Sequence, residues 1–287
     1  MNNIFSFPQS LQFKIGTVID DVVKQFSRDY KEILDAIRSV AIEGVQGINW
    51  LLTSIPWFIL ILLVIFLGYK VSKKIKVGLL YGALLFFIGS AGMWEHMIET
   101  VSIVTAAVII SLVLGFPLGI LIAMSKRAES IIRPILDLMQ TMPAFVYLVP
   151  AVMLFNLGIM PALLATIIYS IVPMIRLTSH GIMYVDKEVK EAAIAFGSTK
   201  IQALIKVQIP QAIPTIMTGV NQTIMMAMSM VVTCAIIGAE GLGLDILIAT
   251  NRVEMGKALL PGIAIVIIAI IFDRLTQGFI KKKEVSD

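Results

Sequence analysis

Charge is scarce in this chain. Asp, Glu, Lys and Arg supply 15% of its 287 residues and hydrophobic side chains 58%, whereas a soluble domain carries about 25% charged residues. The shortage excludes an ordinary soluble globule and leaves an integral membrane protein, and its long charge-free runs make it all-α. Cysteine is nearly absent as well. The one thiol, Cys234, sits in an apolar run, so neither a disulfide framework nor a cysteine-ligated zinc site is available, and a small buried side chain is expected there. His96 and His180 are the only histidines. No His-Glu-x-x-His pair and no Gly-x-x-x-x-Gly-Lys-Ser/Thr loop occurs, so the sequence assigns no catalytic residue, no metal and no cofactor to this chain. The first residues lack the basic flank, short apolar run and small-residue cleavage site of a secretory signal, and no removable leader is expected.

What the chain does have is long charge-free runs. They extend over Gly44 to Tyr69, Val77 to Trp94, Thr100 to Ser125, Leu138 to Ile175, Val207 to Ala239 and Ala258 to Phe272. A membrane helix needs about 20 mostly apolar residues. The fourth run is too long for one helix and carries Asn156-Leu157-Gly158 with Pro161 close behind, so it reads as two short spans joined by an outer turn. The last continues past Asp273 and Arg274 toward Lys281, with the charged pair near the interface, where an arginine snorkels. Seven spans result.

Basic residues resist translocation and so give the orientation. With the C-terminus inside, the inner segments hold sixteen Lys and Arg, and the outer loops between spans hold only Arg252 and Lys257. Seven spans then place the N-terminus outside. The expected organisation is an extracytoplasmic amphipathic tail over 1–50, two spans over 51–94, a five-span core over 95–281 with an inner loop at about 176–210, and a cytoplasmic tail over 282–287. In the tail, Ile15, Val18, Ile19, Val22, Phe26, Tyr30, Ile33, Leu34, Ile37 and Val40 recur at helical spacing. Such a helix lies either on the outer membrane surface or on the protein's own outer loops.

The inner loop carries the chain's most informative pattern. Val185 to Phe196 has good helix formers and an acidic first turn, and Gly197 follows as a stop. A short helix, a glycine turn and a second short helix ending at Pro210 are expected. Ala192 and Ala193 let another protein approach the helix backbone, Glu191 adds a fixed charge, and Phe196 is an apolar anchor of the kind that dominates interfaces.

The spacing Glu191-Ala192-Ala193, three residues, Gly197, nine residues, then Val207-Gln208-Ile209-Pro210 resembles the cytoplasmic loop of bacterial ABC importer permeases. In that family the loop is a coupling helix seated in a groove of the ATPase. Asp137 to Pro150, Gly219 to Val232, Ile237 to Gly243 and Ile271 to Gln277 narrow the resemblance to permeases for glycine betaine and proline betaine, over roughly residues 90 to 280. The resemblance implies a type I ABC importer permease core in the bacterial cytoplasmic membrane, working as a homodimer in osmoprotectant uptake. Its implied partners are two copies of a separate ATPase, which carries the ATP and Mg, a separate extracytoplasmic substrate-binding protein, and membrane lipid, with no nucleic acid. Choline or carnitine is the alternative cargo. A secondary transporter, the rival class, normally shows intramembrane ionisable residues or inverted repeats, and spans two to six have no charge in their middles.

Polar side chains inside a span are costly unless they face a bundle interior or a water-filled cavity. Gln222, Ser229 and Thr233 fall near one face of the sixth span. They line a translocation path or hydrogen-bond between helices. Pro143 and Pro150 interrupt the fourth span and shape a path or gate. Tyr147 lies between them and offers an aromatic face to a quaternary ammonium. Glu240, in an outer glycine-rich turn, is a docking contact for the binding protein or a solvated carboxylate.

Overall fold

The computed structural model describes residues 15–284. Residues 1–14, where no removable leader is expected, and 285–287 of the expected cytoplasmic tail lie outside that range. Every regular element in it is helical: α1 Ile15–Asp29, α2 Lys31–Ser54, α3 Trp57–Ser72, α4 Ile75–Ser90, α5 Trp94–Met124, α6 Lys126–Thr141, α7 Phe145–Phe155, α8 Ile159–Met183, α9 Lys187–Ala195, α10 Lys200–Ala203, α11 Ile209–Cys234, α12 Leu242–Asn251 and α13 Met255–Glu284.

Charge-free runs and helices coincide less closely at breaks than at centres. The run from Gly44 to Tyr69 is divided between α2 and α3, which meet at 94°. Pro56 caps α3, and a proline disfavours helical backbone in the residue before it, here Ile55. The fourth run is divided twice. A bend of 103° separates α6 from α7 at Pro143, and Asn156 (φ 61°) with Gly158 (φ 126°) turns the chain into α8. The 11 residues of α7 give only about 16 Å at 1.5 Å per residue, short of the roughly 30 Å hydrocarbon layer. Among the described residues, four helices are long and apolar enough to cross unaided, and up to six when each bent pair counts as one span. The 16-residue α3 and α4 form a close hairpin of about 24 Å at 1.5 Å per residue, a shortfall of the kind that local thinning and snorkelling flanks accommodate.

Glycine sets how near the helices come. In the hairpin, a Cβ on Gly78 would lie 2.4 Å from the Ile65 carbonyl oxygen. Between α5 and α8, a Cβ on Gly119 would meet Thr178 Cβ at 2.6 Å, and one on Gly115 would meet Met174 Cβ at 3.0 Å. Two small residues four apart let backbones approach and gain packing that hydrocarbon does not otherwise drive. The α5–α8 pair, with α11 on its other side, is the frame for the rest.

The α2 part of the amphipathic tail packs on the long helix α5 and not on loops. Val45 is buried, and Ala41, Ile48 and Leu52 pack on the same cluster as Met97, Ile98 and Ile103 of α5. An apolar groove of about 540 Å³ remains between α2 and the middle of α5. In α1, Val18, Ile19, Val22 and Phe26 are exposed.

Candidate functional site

The inner-loop segment is built to stand away from the bundle. Asp186 caps α9 by accepting the Glu188 amide at 2.9 Å on its side chain, which satisfies one of the free donors at a helix start. At the other end, the Gly197 amide donates to the Ile194 carbonyl and the Ser198 amide to the Ala193 carbonyl. This paired closure places Gly197 at φ +82°, where a side chain is unfavourable. Thr199 and Gln202 then cap α10 reciprocally, side chain to backbone in both directions.

No residue of α9 is buried. Glu191 and Ala192 are exposed, Ala193 is half-buried, and Phe196 is 91% exposed. Ile194, Ile201 and Ile205 are exposed around it. A phenylalanine in water forgoes the burial energy that makes aromatics useful, and exposed apolar patches are a common mark of interaction surfaces. Beneath it the segment is anchored. Val185 and Leu204 are buried with Met174 and Ile182 of α8 and Ala212 and Ile216 of α11, and burial of a Val or Leu side chain contributes about 1.5–3 kcal/mol.

Pro210 does not end the second short helix. A five-residue π-turn, Leu204–Gln208, joins α10 to α11, and the whole runs as one 38-residue helix, Lys200–Ile237. Proline lacks the amide that would bond to residue 206. The widened turn just before it, closed by the Ile209 amide on the Leu204 carbonyl, accommodates that missing bond. The exposed patch is therefore continuous with α11.

Along α11, Gln222 and Ser229 are exposed and Thr233 is half-buried, with Thr218 exposed one turn before Gln222. The Ser229 hydroxyl donates to the Met225 carbonyl at 3.1 Å within its own helix, and so does not bridge to a neighbour. The exposed surface of the other spans is mostly Leu, Ile, Phe and Val. A polar stripe on one long helix is thus set apart from the lipid-like faces.

Tyr147 is not on an open face. It is 6% exposed, its ring lies 6.0 Å from that of Tyr169, and its hydroxyl donates to the Met139 carbonyl across the α6–α7 break. It braces the bend at Pro143. Pro143 and Pro150 are themselves exposed.

At the opposite end of the bundle, Glu240 is exposed beside Gly238 (φ +84°) and Gly241 (φ +99°). The Leu242 amide donates to the Thr100 hydroxyl at 2.9 Å, and His96 Nδ1 lies 2.5 Å from Asp245 Oδ2. These bonds tie α12 to the first turns of α5. Sequence reasoning missed them, because nothing in a pattern links positions 96 and 245.

A closely packed bundle of long apolar helices, with a polar stripe on one of them and an exposed apolar patch continuous with that helix, places the chain among multi-pass membrane proteins. Residues 115–285 match the model of the binding-protein-dependent transport system inner membrane component. The chain belongs to this family. It is a multi-pass permease subunit and not an enzyme, and the family implies a separate ATPase and a substrate-binding protein as partners. It is 42% identical to the glycine betaine/carnitine transport permease of Listeria monocytogenes over 98% of this chain and 99% of that one. Identity is also 42% with the glycine betaine transport system permease of Bacillus subtilis, over 94% of this chain and 95% of that one. With the glycine betaine/proline betaine permease of Escherichia coli it is 43%, over 91% and 72%. The methionine transporter MetNI in an inward-facing form superposes with a TM-score of 0.59 at 17% identity, over 67% of this chain and 95% of its own. That likeness establishes the type I importer fold.

Proposed function

We propose that the chain forms the membrane pathway of an importer for glycine betaine and proline betaine, zwitterions with a quaternary nitrogen, driven by alternating access. The observation that carries the cargo is the identity of 42–43% over nine-tenths or more of this chain with permeases named for glycine betaine. Two copies of the chain and two ATPase subunits make the machine, with the Glu191–Gly197 patch against the ATPase. The substrate-binding protein docks at the opposite end, near Glu240. The test is uptake into proteoliposomes containing permease, ATPase and binding protein. ATP-dependent accumulation of glycine betaine, competed by proline betaine, is expected. Accumulation of choline or carnitine alone would change the cargo, and uptake without the ATPase would sink the mechanism.

The path runs along Thr218, Gln222, Ser229 and Thr233 of α11. A zwitterion needs polar partners at every depth, because an unsatisfied charge in hydrocarbon is costly. Gln222→Leu with Ser229→Leu is expected to cut uptake by about tenfold or more, the scale of losing one or two hydrogen bonds to a charged group, with ATP hydrolysis retained. Unchanged uptake would return these residues to plain helix contacts.

The N-terminus faces outside and the C-terminus the cytoplasm, on the balance of sixteen inner basic residues against two in the outer loops. A phosphatase fused after Val45 is expected to be active only in the extracytoplasmic compartment. Activity of a cytoplasm-dependent reporter at the same position would shift the span count by one.

A further inference from the structure

Asp273 is half-buried between two helices. Its Oδ1 accepts two hydrogen bonds, from Asn221 Nδ2 of α11 at 2.8 Å and from Gln277 Nε2 at 2.6 Å. The Arg274 Nε lies 3.9 Å from its Oδ2. The Asn221 bond is a directional polar link between α11 and α13. Around it the two helices meet through Ile224, Ala227, Met228 and Val231 against Ala264, Ile267, Ile268 and Ile271, and apolar packing has no preferred direction. Apolar faces slide, whereas a hydrogen bond between a carboxylate and an amide holds one point fixed.

The fixed point has a particular position. Asn221 lies part-way along the Lys200–Ile237 helix, with the ATPase-facing end and Thr218 on one side and Gln222, Ser229 and Thr233 on the other. A rigid rod held at an intermediate point tilts when one end is pushed. The Asn221 Oδ1 is buried and has no partner, although buried polar atoms in a purely structural clamp are normally satisfied. An open acceptor beside a carboxylate suits a clamp that regroups between two arrangements.

We propose that Asp273 is a positioning residue, the pivot that converts displacement of the loop at Gly197 into tilt of the α11 path face. The proposal rests on the path reading above but not on the cargo. Its test places one thiol on the far side of the pivot, Ser229→Cys, after Cys234→Ser removes the buried native thiol. The permease–ATPase complex in nanodiscs is labelled with an impermeant maleimide, with and without ATP plus vanadate. The labelling rate is expected to change with nucleotide. In Asp273→Ala that change is expected to shrink by about tenfold, the scale of a lost charge-assisted hydrogen bond, while ATP hydrolysis persists. The exchange Asn221→Asp with Asp273→Asn rebuilds the link in reverse and is expected to restore the change. A full response in Asp273→Ala overturns the pivot, as does no response without Asp273→Ala, since there is then no tilt to govern. An exchanged variant that assembles but does not respond overturns it too. Loss of assembly in both variants overturns it as well, by making the link a folding element. Absence of glycine betaine uptake in the separate transport assay counts against the cargo and leaves these outcomes readable.

Discussion

Phe196→Ala is expected to weaken binding of the ATPase subunit by about 2–4 kcal/mol, the range of interface hot spots, or roughly 30- to 1,000-fold in affinity, and to abolish ATP-driven uptake at ordinary subunit concentrations. The ring is 91% exposed, so the permease alone gains nothing from it, and its removal leaves no cavity. For the same reason the variant is expected to insert at the native level: α9 holds no buried residue. Gly197→Asp acts differently on the same surface. No atom lies within 4 Å of the position its Cβ would take, so the cost is the left-handed backbone itself, about 1–2 kcal/mol for a non-glycine residue, and the chain relieves it by reorienting Phe196. Ala192→Trp leaves the helix whole and blocks the approach. Co-purification of the ATPase with each variant and a membrane-fraction blot are the measurements. Native co-purification in all three variants would remove this patch from the interface.

That patch was legible because its information is local. The acidic first turn and a glycine stop act over a few residues, and the structure has a short helix there with a positive φ at Gly197, together with an Asp186 cap that the sequence reading did not name. The turn at Asn156 and Gly158 was legible for the same reason. Hydropathy alone ran over Pro56, because a charge-free stretch reports the solvent and not the hydrogen-bond ladder. It also began the sixth span at Val207, since Lys200 and Lys206 end the charge-free run but do not interrupt the helix, which starts at Lys200. Tyr147 shows a second limit. Its place between two prolines suggested an open aromatic face, but a hydroxyl that can reach the Met139 carbonyl across a bend buries the ring. Asp273 shows the third, since its partner Asn221 is 52 residues away in sequence and no local pattern reveals it.

Gly119→Leu is expected to prevent assembly of the bundle. Even the first carbon of a side chain there would lie 2.6 Å from Thr178 Cβ and 2.9 Å from the Ile175 carbonyl oxygen. Thr178 is fully buried and the carbonyl belongs to the α8 backbone, so relief requires the two helices to separate. Overpacking a tight core costs typically 1–3 kcal/mol and occasionally more. Here the separation would also strip contacts from Gly115 against Met174 and Ile171, a large fraction of the roughly 5–15 kcal/mol by which folded proteins are stable. Gly119→Ala is expected to be destabilising as well, although alanine is the better helix former by about 1 kcal/mol. The contrast is Gly262 of α13, where nothing lies within 4 Å of an added Cβ. Gly262→Ala is expected to be neutral or stabilising by up to that amount. Thermal unfolding of the purified variants in one detergent measures the order, with Gly262→Ala at or above the native midpoint, Gly119→Ala below it and Gly119→Leu recovered as aggregate. A native midpoint for Gly119→Leu would mean that α5 and α8 are not held at the distance their glycines permit.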